Sequence, residues 1–244
     1  MTPPLFVCDP ARLGLDRITL DGPEGRHATT VRRIAPGERV DLTDGAGLVA
    51  ECVAVAARPG ELDLSVLSRR TEPEPVPRIV VVQAIIKGDR GELAVELMTE
   101  VGADEIVPWS AERCVARWRP DRQEKALGRW RSTAVAAAKQ SRRGRFPLVS
   151  GQQALPGLLD RVSAAALAVT LDPAAPVPLG RLSVPTVGEV VLIVGPEGGI
   201  SPAEEAGLAA AGAVPARLGP SVLRGSTAGA VAAALLLSGS DRWA

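Results

Sequence analysis

Val190-Val191-Leu192-Ile193-Val194-Gly195-Pro196-Glu197-Gly198-Gly199-Ile200-Ser201-Pro202-Ala203-Glu204 is the stretch that decides the fold. Five consecutive apolar, mostly β-branched residues read as a strand buried on both faces. The strand enters a glycine-rich loop, and the loop leads into a helix start. Ser201 and Glu204 stand at the spacing of a capping box, with Pro202 at the first helical position, where a missing N–H does no harm. Glycines in such a loop let the backbone approach a ligand closely and leave amides free to hold it. The pattern is neither G-x-G-x-x-G nor a P-loop, so dinucleotide and nucleoside-triphosphate fingerprints are absent. A plain strand-to-helix turn is the other reading of the same residues.

A second glycine-rich stretch, LGPSVLRGSTAG (218–229), begins about 20 residues later and opens an apolar helix over 230–237. Upstream, the pattern predicts a strand over 79–86, a helix over 90–101 stopped by Gly102, a strand over 105–108, helices over 122–141 and 154–162, and a strand over 164–171. This alternation predicts an α/β sheet with helices on both faces. Such a sheet places its ligand outside the carboxyl ends of its strands, so the two glycine-rich loops are expected to face each other across one pocket. Arg224 is the only basic residue of the second loop. It is either a surface charge or a side chain steering a phosphate or carboxylate.

The first 70 residues have a different rhythm. Short apolar stretches at 17–20, 39–43, 48–55 and 61–67 are separated by Gly, Pro and Asp signals, with Asp44-Gly45 as a hairpin turn, which predicts a small all-β unit. Glu72-Pro73-Glu74-Pro75-Val76-Pro77 then breaks any regular element. The expected organisation is a β domain over 1–72, a linker over 73–77 and an α/β domain over 78–244.

With 244 residues, 46% hydrophobic and 23% charged, the chain can bury a sizeable core, which excludes a disordered or fibrous protein. No apolar run approaches the ~18 residues of a membrane span, and residues 1–8 lack a secretory pattern, so a cytoplasmic location is expected. Cys8, Cys52 and Cys114 are too few and too scattered for a disulfide framework and are expected as reduced core residues. One histidine, His27, and no tyrosine leave little material for a metal site, and none is expected. The 28 basic and 28 acidic residues cancel, but unevenly: residues 113–145 hold 11 basic and 2 acidic side chains. Trp118 and Trp130 lie among those arginines, a composition suited to phosphate contacts and base stacking. Arginine outnumbers lysine 25 to 3 across the chain, so a merely solvated basic face is the alternative.

Four segments together resemble a known family. VGPEGGISPAE (194–204), LGPSVLRGSTAGA (218–230), KGDRGELAVELMTEVGADEIVPWSAERCV (87–115) and AAAKQSRRGRFP (136–147) are similar, in the family's order, to the RsmE-type 16S ribosomal RNA uracil-N3 methyltransferases. EGRHATTVRRIAPGERVDLTDGAG (24–47) is similar to that family's PUA-like β-barrel RNA-binding domain. The resemblance implies a SPOUT methyltransferase domain whose C-terminal loops pass through one another as a trefoil knot, an exception to the rule that chains do not thread. It implies S-adenosylmethionine as methyl donor, uridine 1498 of 16S rRNA in the 30S subunit as target, and a homodimer. By motif match, Gly195, Pro196, Glu197, Gly198, Gly199, Leu218, Gly219, Leu223 and Arg224 would line the cofactor pocket, with Leu171 under the adenine.

Methylation at uracil N3 needs loss of an imide proton and in-line approach of the nitrogen to the sulfonium methyl, so the protein must position and stabilise negative charge. By match to the family's segment, Gln140 and Arg142 are the substrate-side candidates, with Arg224 beside the cofactor. Arg26, Arg32, Arg33, Arg142 and Arg143 are the expected RNA contacts. His27 lies in the same cluster and is either a base contact or a residue satisfied by its neighbours. Glu197 either accepts the imide proton, serves the backbone geometry of its loop, or pairs with Arg142 or Arg224. The family commonly has Leu-Arg-Thr-Glu-Thr-Ala where this chain reads Leu223-Arg224-Gly225-Ser226-Thr227-Ala228. A carboxylate is therefore replaced by Ser226, which is expected as a helix N-cap. Rival readings are a SPOUT methyltransferase for another RNA, a non-catalytic ribosome-assembly module, and an atypical dinucleotide enzyme. The last lacks the acidic residue it needs near 215–224.

Overall fold

A computed structural model describes residues 2–243. They form two compact units: one comprises the chain up to Glu74 with Ala138–Phe146, the other Pro75–Ala137 with the chain from Pro147 onward. The change at 74/75 falls inside the proline-rich stretch. The return of 138–146 to the first unit has no counterpart in the contiguous division expected from sequence.

In the first unit, β1 (Leu5–Val7), β2 (Arg17–Leu20), β3 (Arg39–Thr43), β4 (Leu48–Arg58) and β5 (Glu61–Thr71) form a sheet in the order β1-β3-β4-β5-β2, with only β1 and β3 parallel. Alternate residues point inward, so Val40 and Leu42 meet Ala50, Cys52, Leu62 and Leu64 in one core. Two short helices, α1 (Pro10–Leu13) and α2 (Gly22–Arg26), precede a π-helical turn at His27–Val31. The β3–β4 hairpin turns at Asp44, whose Oδ1 accepts the amides of Ala46 at 2.7 Å and Leu48 at 3.1 Å. Residues 141–146 lie against this hairpin. The Thr43 hydroxyl is 2.8 Å from the Gly144 carbonyl, the Phe146 amide donates to Gly45 O at 2.8 Å, and a Cβ on Gly144 would collide with Val49.

The second unit is a six-stranded parallel sheet. Its strands are β6 (Arg78–Ala84), β7 (Glu105–Trp109), β8 (Leu148–Val149), β9 (Leu167–Leu171), β10 (Glu189–Val194) and β11 (Val214–Ala216), ordered β11-β9-β10-β6-β7-β8. Ile79 and Val81 enter one core while Val80 and Val82 enter the other, so both faces are covered. One core includes residues of α3 (Arg90–Val101), α4 (Gln123–Gln140) and α7 (Gly225–Ser238); the other includes residues of α5 (Leu155–Ala164) and α6 (Pro202–Ala210). Gly102 ends α3 at φ +106°, the left-handed cap expected from sequence. The strand expected from 164 starts at Leu167 because α5 runs on to Ala164, and the C-terminal helix starts five residues earlier than its apolar run.

The basic window differs from expectation in one respect. Trp130 is 2% exposed and meets half-buried Trp118 edge-on, with ring centroids 5.2 Å apart. The two indoles therefore fill the core over α3 and are not a free base-stacking platform. Two neighbouring arginines are also engaged: Arg129 with Glu92 at 3.2 Å and Arg131 with Glu124 at 3.6 Å.

The path of α7 follows from strand order. β11 is an edge strand, yet the next helix packs on β10, β6 and α3, so residues 217–224 must cross back over the carboxyl ends of β9 and β10. The β9–β10 connection lies against the same helix. Its 3₁₀ turn at Leu179–Arg181 contacts α7, and Leu182 and Val184 join the core around Leu236 and Leu237. The C-terminal helix is thus clasped by a connection between two adjacent strands, and the fold is of the SPOUT class. No described helix is long and apolar enough to cross a membrane.

At the amino ends of the strands, Glu105 accepts from Arg161 at 2.6 Å and Arg78 at 2.7 Å, and both arginines also bond Glu189. Burial alone would raise the Glu105 carboxyl. The hydrogen bonds from Arg161 and Ser150, with the charges of Arg161 and Arg78, outweigh burial and hold it below its ordinary value. A depressed carboxylate stabilises the fold fully above its unfolded value of 4.5, and that contribution is lost as pH falls through the lower folded value. Glu105→Gln is expected to cost about 3 kcal/mol at neutral pH and to flatten the acid limb of stability. Urea unfolding across pH 3–7 checks both.

Candidate active site

The cleft lies at the carboxyl ends of β9, β10 and β6 and encloses about 570 Å³, within the ordinary range of small-molecule sites. Two loops build it. In the first, Gly199 takes φ +74° and its amide donates to Pro196 O at 2.9 Å, closing a turn only a residue tolerant of that region makes without strain. A Cβ on Gly195 would lie 2.7 Å from Ile200 Cγ1, so the loop folds tightly on its own apolar residue. Ser201 and Glu204 complete the expected capping box: Glu204 N–H donates to Ser201 Oγ at 3.3 Å, and Ser201 N–H to Glu204 Oε2 at 3.0 Å.

Glu204 has a second task that sequence reading missed. It is 5% exposed, and its Oε1 accepts the Glu112 amide at 2.7 Å, tying the loop to the turn after β7. Nothing in the spacing S-x-x-E marks this contact, which joins residues 92 apart.

The second loop is held by Arg217. Its amide donates to Val177 O at 2.9 Å, its carbonyl accepts from Leu179 at 2.8 Å, and its guanidinium reaches Ala175 O at 2.8 Å. These bonds draw the chain after β9 against residues 217–219, so Leu171 and Leu218 line the same cleft. Arg224, exposed, occupies the N-cap position of α7, and its carbonyl accepts the amides of Thr227 and Ala228 at 2.9 Å. Ser226 is therefore not the N-cap expected from sequence. It is the second residue of the helix, 4% exposed, with its side chain on the cleft.

Of the residues expected around a cofactor, Leu171, Gly195, Pro196, Glu197, Gly199, Leu218, Gly219, Leu223 and Arg224 line this cleft. Gly198 stands apart: a Cβ there would lie 3.0 Å from Arg113 O, so this glycine permits close packing of the loop on the 112–114 turn. Arg90 and Arg113 also border the cleft and were not anticipated. Glu197 is exposed and makes no ion pair among the described residues, with Arg142, Arg224 or any other cation.

The expected RNA-facing residues Arg26, Arg32, Arg33, Gln140, Arg142 and Arg143 belong to the first unit. Arg142 takes φ +62° and its Nη1 donates to Lys139 O at 2.7 Å. Burial and then the like charge of Arg32 pull Arg142 below the usual arginine range, with Asp41 opposing, so these three charges share one site. Asp41 is pushed up by burial and by Glu51. His27 is half-buried, with its ring edge-on to Phe6 and the centroids 5.7 Å apart. Lys139 pairs with Glu24 at 2.6 Å. All three cysteines are buried and free, and burial pushes the Cys52 thiol up to about 12.

A fold with a glycine-lined cleft at this sheet edge, preceded by a small β unit, defines a class that comparison with known proteins names. Residues 72–237 match the model of an RNA methyltransferase domain, and residues 20–67 match that of an RNA methyltransferase PUA domain. The Mycobacterium bovis protein called Ribosomal RNA small subunit methyltransferase E is 47% identical over 92% of this chain and 87% of its own length. A Ribosomal RNA small subunit methyltransferase E from Neisseria gonorrhoeae bound to S-adenosyl methionine is 27% identical, with a TM-score of 0.82 over 97% of this chain and 98% of that one. A methyltransferase from Legionella pneumophila in complex with the same cofactor is 27% identical, with a TM-score of 0.80 over 92% of both chains. The chain belongs to this RNA methyltransferase family.

The double engagement of Glu204 has a measurable consequence. Ser201→Ala removes one cap bond and is expected to cost about 1 kcal/mol. Glu204→Ala removes its half of the box and the Glu112 contact and is expected to cost about 2 kcal/mol or more. Equal losses in denaturant unfolding would show that the Glu112 contact contributes nothing.

Proposed function

We propose that this chain moves a methyl group from S-adenosylmethionine to N3 of uridine 1498 in 16S rRNA of the small ribosomal subunit, acting as a cytoplasmic homodimer. The observation that carries the reading is the single cleft in which both glycine-rich loops meet. Leu171, Leu218, Leu223, Val194 and Ile86 offer apolar walls to an adenine, the Gly195–Gly199 backbone offers close approach, and Arg224 offers a cation to a carboxylate. The open space around Gly199 and Gly219, where a Cβ would meet nothing within 4 Å, leaves room for such a ligand. These residues fit the cofactor, which when bound supplies an electrophilic methyl on a sulfonium.

The protein's share of the chemistry is to present the uracil imide and stabilise its anion. Gln140 and Arg142 act on the substrate side, where a guanidinium forks onto uracil oxygens or an adjacent phosphate. Arg26, Arg32, Arg33 and Arg143 bind the RNA backbone. The target must be unstacked to be reached, which accounts for a separate RNA-binding unit. No group of three His, Cys, Asp or Glu side chains among the described residues is placed to hold a metal ion.

Incubation with unmodified 30S subunits and labelled donor, followed by nucleoside mapping, is expected to give 3-methyluridine at that single position; label elsewhere, or none, overturns the reading. Arg142→Ala is expected to lower turnover about 100-fold with cofactor affinity unchanged. Gly198→Val, which drives a side chain into Arg113, is expected to weaken cofactor binding by at least about ten-fold in calorimetry. Full turnover by Arg142→Ala would remove that residue from the substrate side.

A further inference from the structure

A second hollow opens beside the cofactor cleft. It is lined by Lys87, Gly88, Asp89, Arg90, Leu93 and Glu197, and two of these, Arg90 and Glu197, also line the cleft itself. The two spaces therefore meet at one cation and one carboxylate. Among the described residues, none of the four charged side chains of the hollow makes an ion pair, whereas Glu92, outside the hollow on the same helix, is held by Arg129. Gly91, next to Arg90, is buried against Trp130, where a Cβ would lie 3.0 Å from the indole nitrogen. The start of α3 is thus packed closely on the core, and Arg90 projects from it.

The charge balance selects the ligand. Two cations and two carboxylates sum to zero, so a phosphate placed here would meet Asp89 and Glu197 as well as Lys87 and Arg90. A neutral heterocycle with two carbonyl oxygens, one acidic N–H and an apolar face matches this mixture: the cations for the carbonyls, one carboxylate for the N–H, and Leu93, 43% exposed, as a wall for the ring. That is the description of a uracil. We propose that this hollow receives the flipped target base, with Arg90 as a catalytic cation on the uracil oxygens and Glu197 as the acceptor of the imide proton. The inference rests on the methyltransferase reading above and adds to it where the base sits and which residues act on it.

The step balances. The N3 proton passes to the Glu197 carboxylate, the N3 electron pair forms the new N–C bond, and the S–C bond of the donor breaks with its pair returning to sulfur. The guanidinium of Arg90 offsets the charge that spreads from N3 onto the oxygens and so lowers the pH at which the imide ionises. Lys87 reinforces that field, and Asp89 and Glu197 oppose it from the hollow. Arg113 and Arg224 add to it from the cleft, where Asp172 and Glu205 oppose it.

The test uses the full chain and a fluorescently labelled RNA spanning the target, with either uridine or an abasic site at the methylated position. The wild type is expected to bind the uridine RNA about ten-fold more tightly than the abasic one, and Arg90→Ala to lose that preference. In turnover, Arg90→Ala is expected to fall about 100-fold at neutral pH, with its pH–rate curve displaced upward by one to two pH units and cofactor affinity within about two-fold of wild type. Arg90→Lys is expected to restore part of the rate and of the displacement. Glu197→Gln is expected to lower the rate and leave it rising with hydroxide across the whole range. An unmoved pH profile with the uridine preference intact, or a loss of rate matched by loss of cofactor binding, overturns the proposal. A wild-type product other than 3-methyluridine defeats the reading beneath it, which is a different outcome from wild-type N3 methylation indifferent to Arg90.

Discussion

The order β11-β9-β10-β6 imposes the constraint on which the rest depends. After β11 the chain is at the sheet's edge, but the apolar helix that follows is hydrophobic nearly all round and must be buried. The available place is over β10 and β6, beside α3. Reaching it forces residues 217–224 across the carboxyl ends of the strands, where they face the loop leaving β10. The cleft is a by-product of burying α7: the crossing chain brings glycine-rich backbone close on one side and leaves the apolar side chains of Leu171, Val194, Leu218 and Leu223 as walls. Gly195 and Gly225 show this directly: Ile200 fills the space beside one, and the Gly195 carbonyl lies 3.7 Å from where a Cβ on the other would be.

Fixing such a crossing needs local fasteners. Arg217 supplies one through three backbone partners in the β9–β10 connection, and Glu204 supplies another by capping its own helix and holding the Glu112 amide. Each spends a charged side chain on backbone groups of a segment far away in sequence, where a neutral partner would bond more weakly. The ion-pair cluster of Glu105, Arg161, Arg78 and Glu189 does similar work at the opposite ends of the strands. The site thus sits at one end of a sheet whose other end is locked.

What could be read in the sequence was whatever depends on neighbours along the chain. The uninterrupted apolar run at 190–194, the S-x-x-E cap at Ser201 and the Gly102 stop all express local rules, and each stands as expected. Ser226 misled because a serine near a helix start resembles an N-cap, whereas the helix is capped two residues earlier, at Arg224, and Ser226 is buried. Trp118 and Trp130 misled because composition cannot distinguish an indole that stacks on a base from one that packs on another indole. Residues 138–146 escaped because their partners, Thr43 and Val49 among them, lie about a hundred positions away. Arg90 escaped for an electrostatic reason: charge counting finds excesses, and its surroundings are neutral.

Amide hydrogen exchange with and without S-adenosylmethionine tests the central claim, that the two crossing loops hold the cofactor between them. The account predicts new protection confined to residues 194–200 and 218–226 and to the end of β9 at Leu171. Protection elsewhere on the sheet, or in one loop without the other, would contradict it.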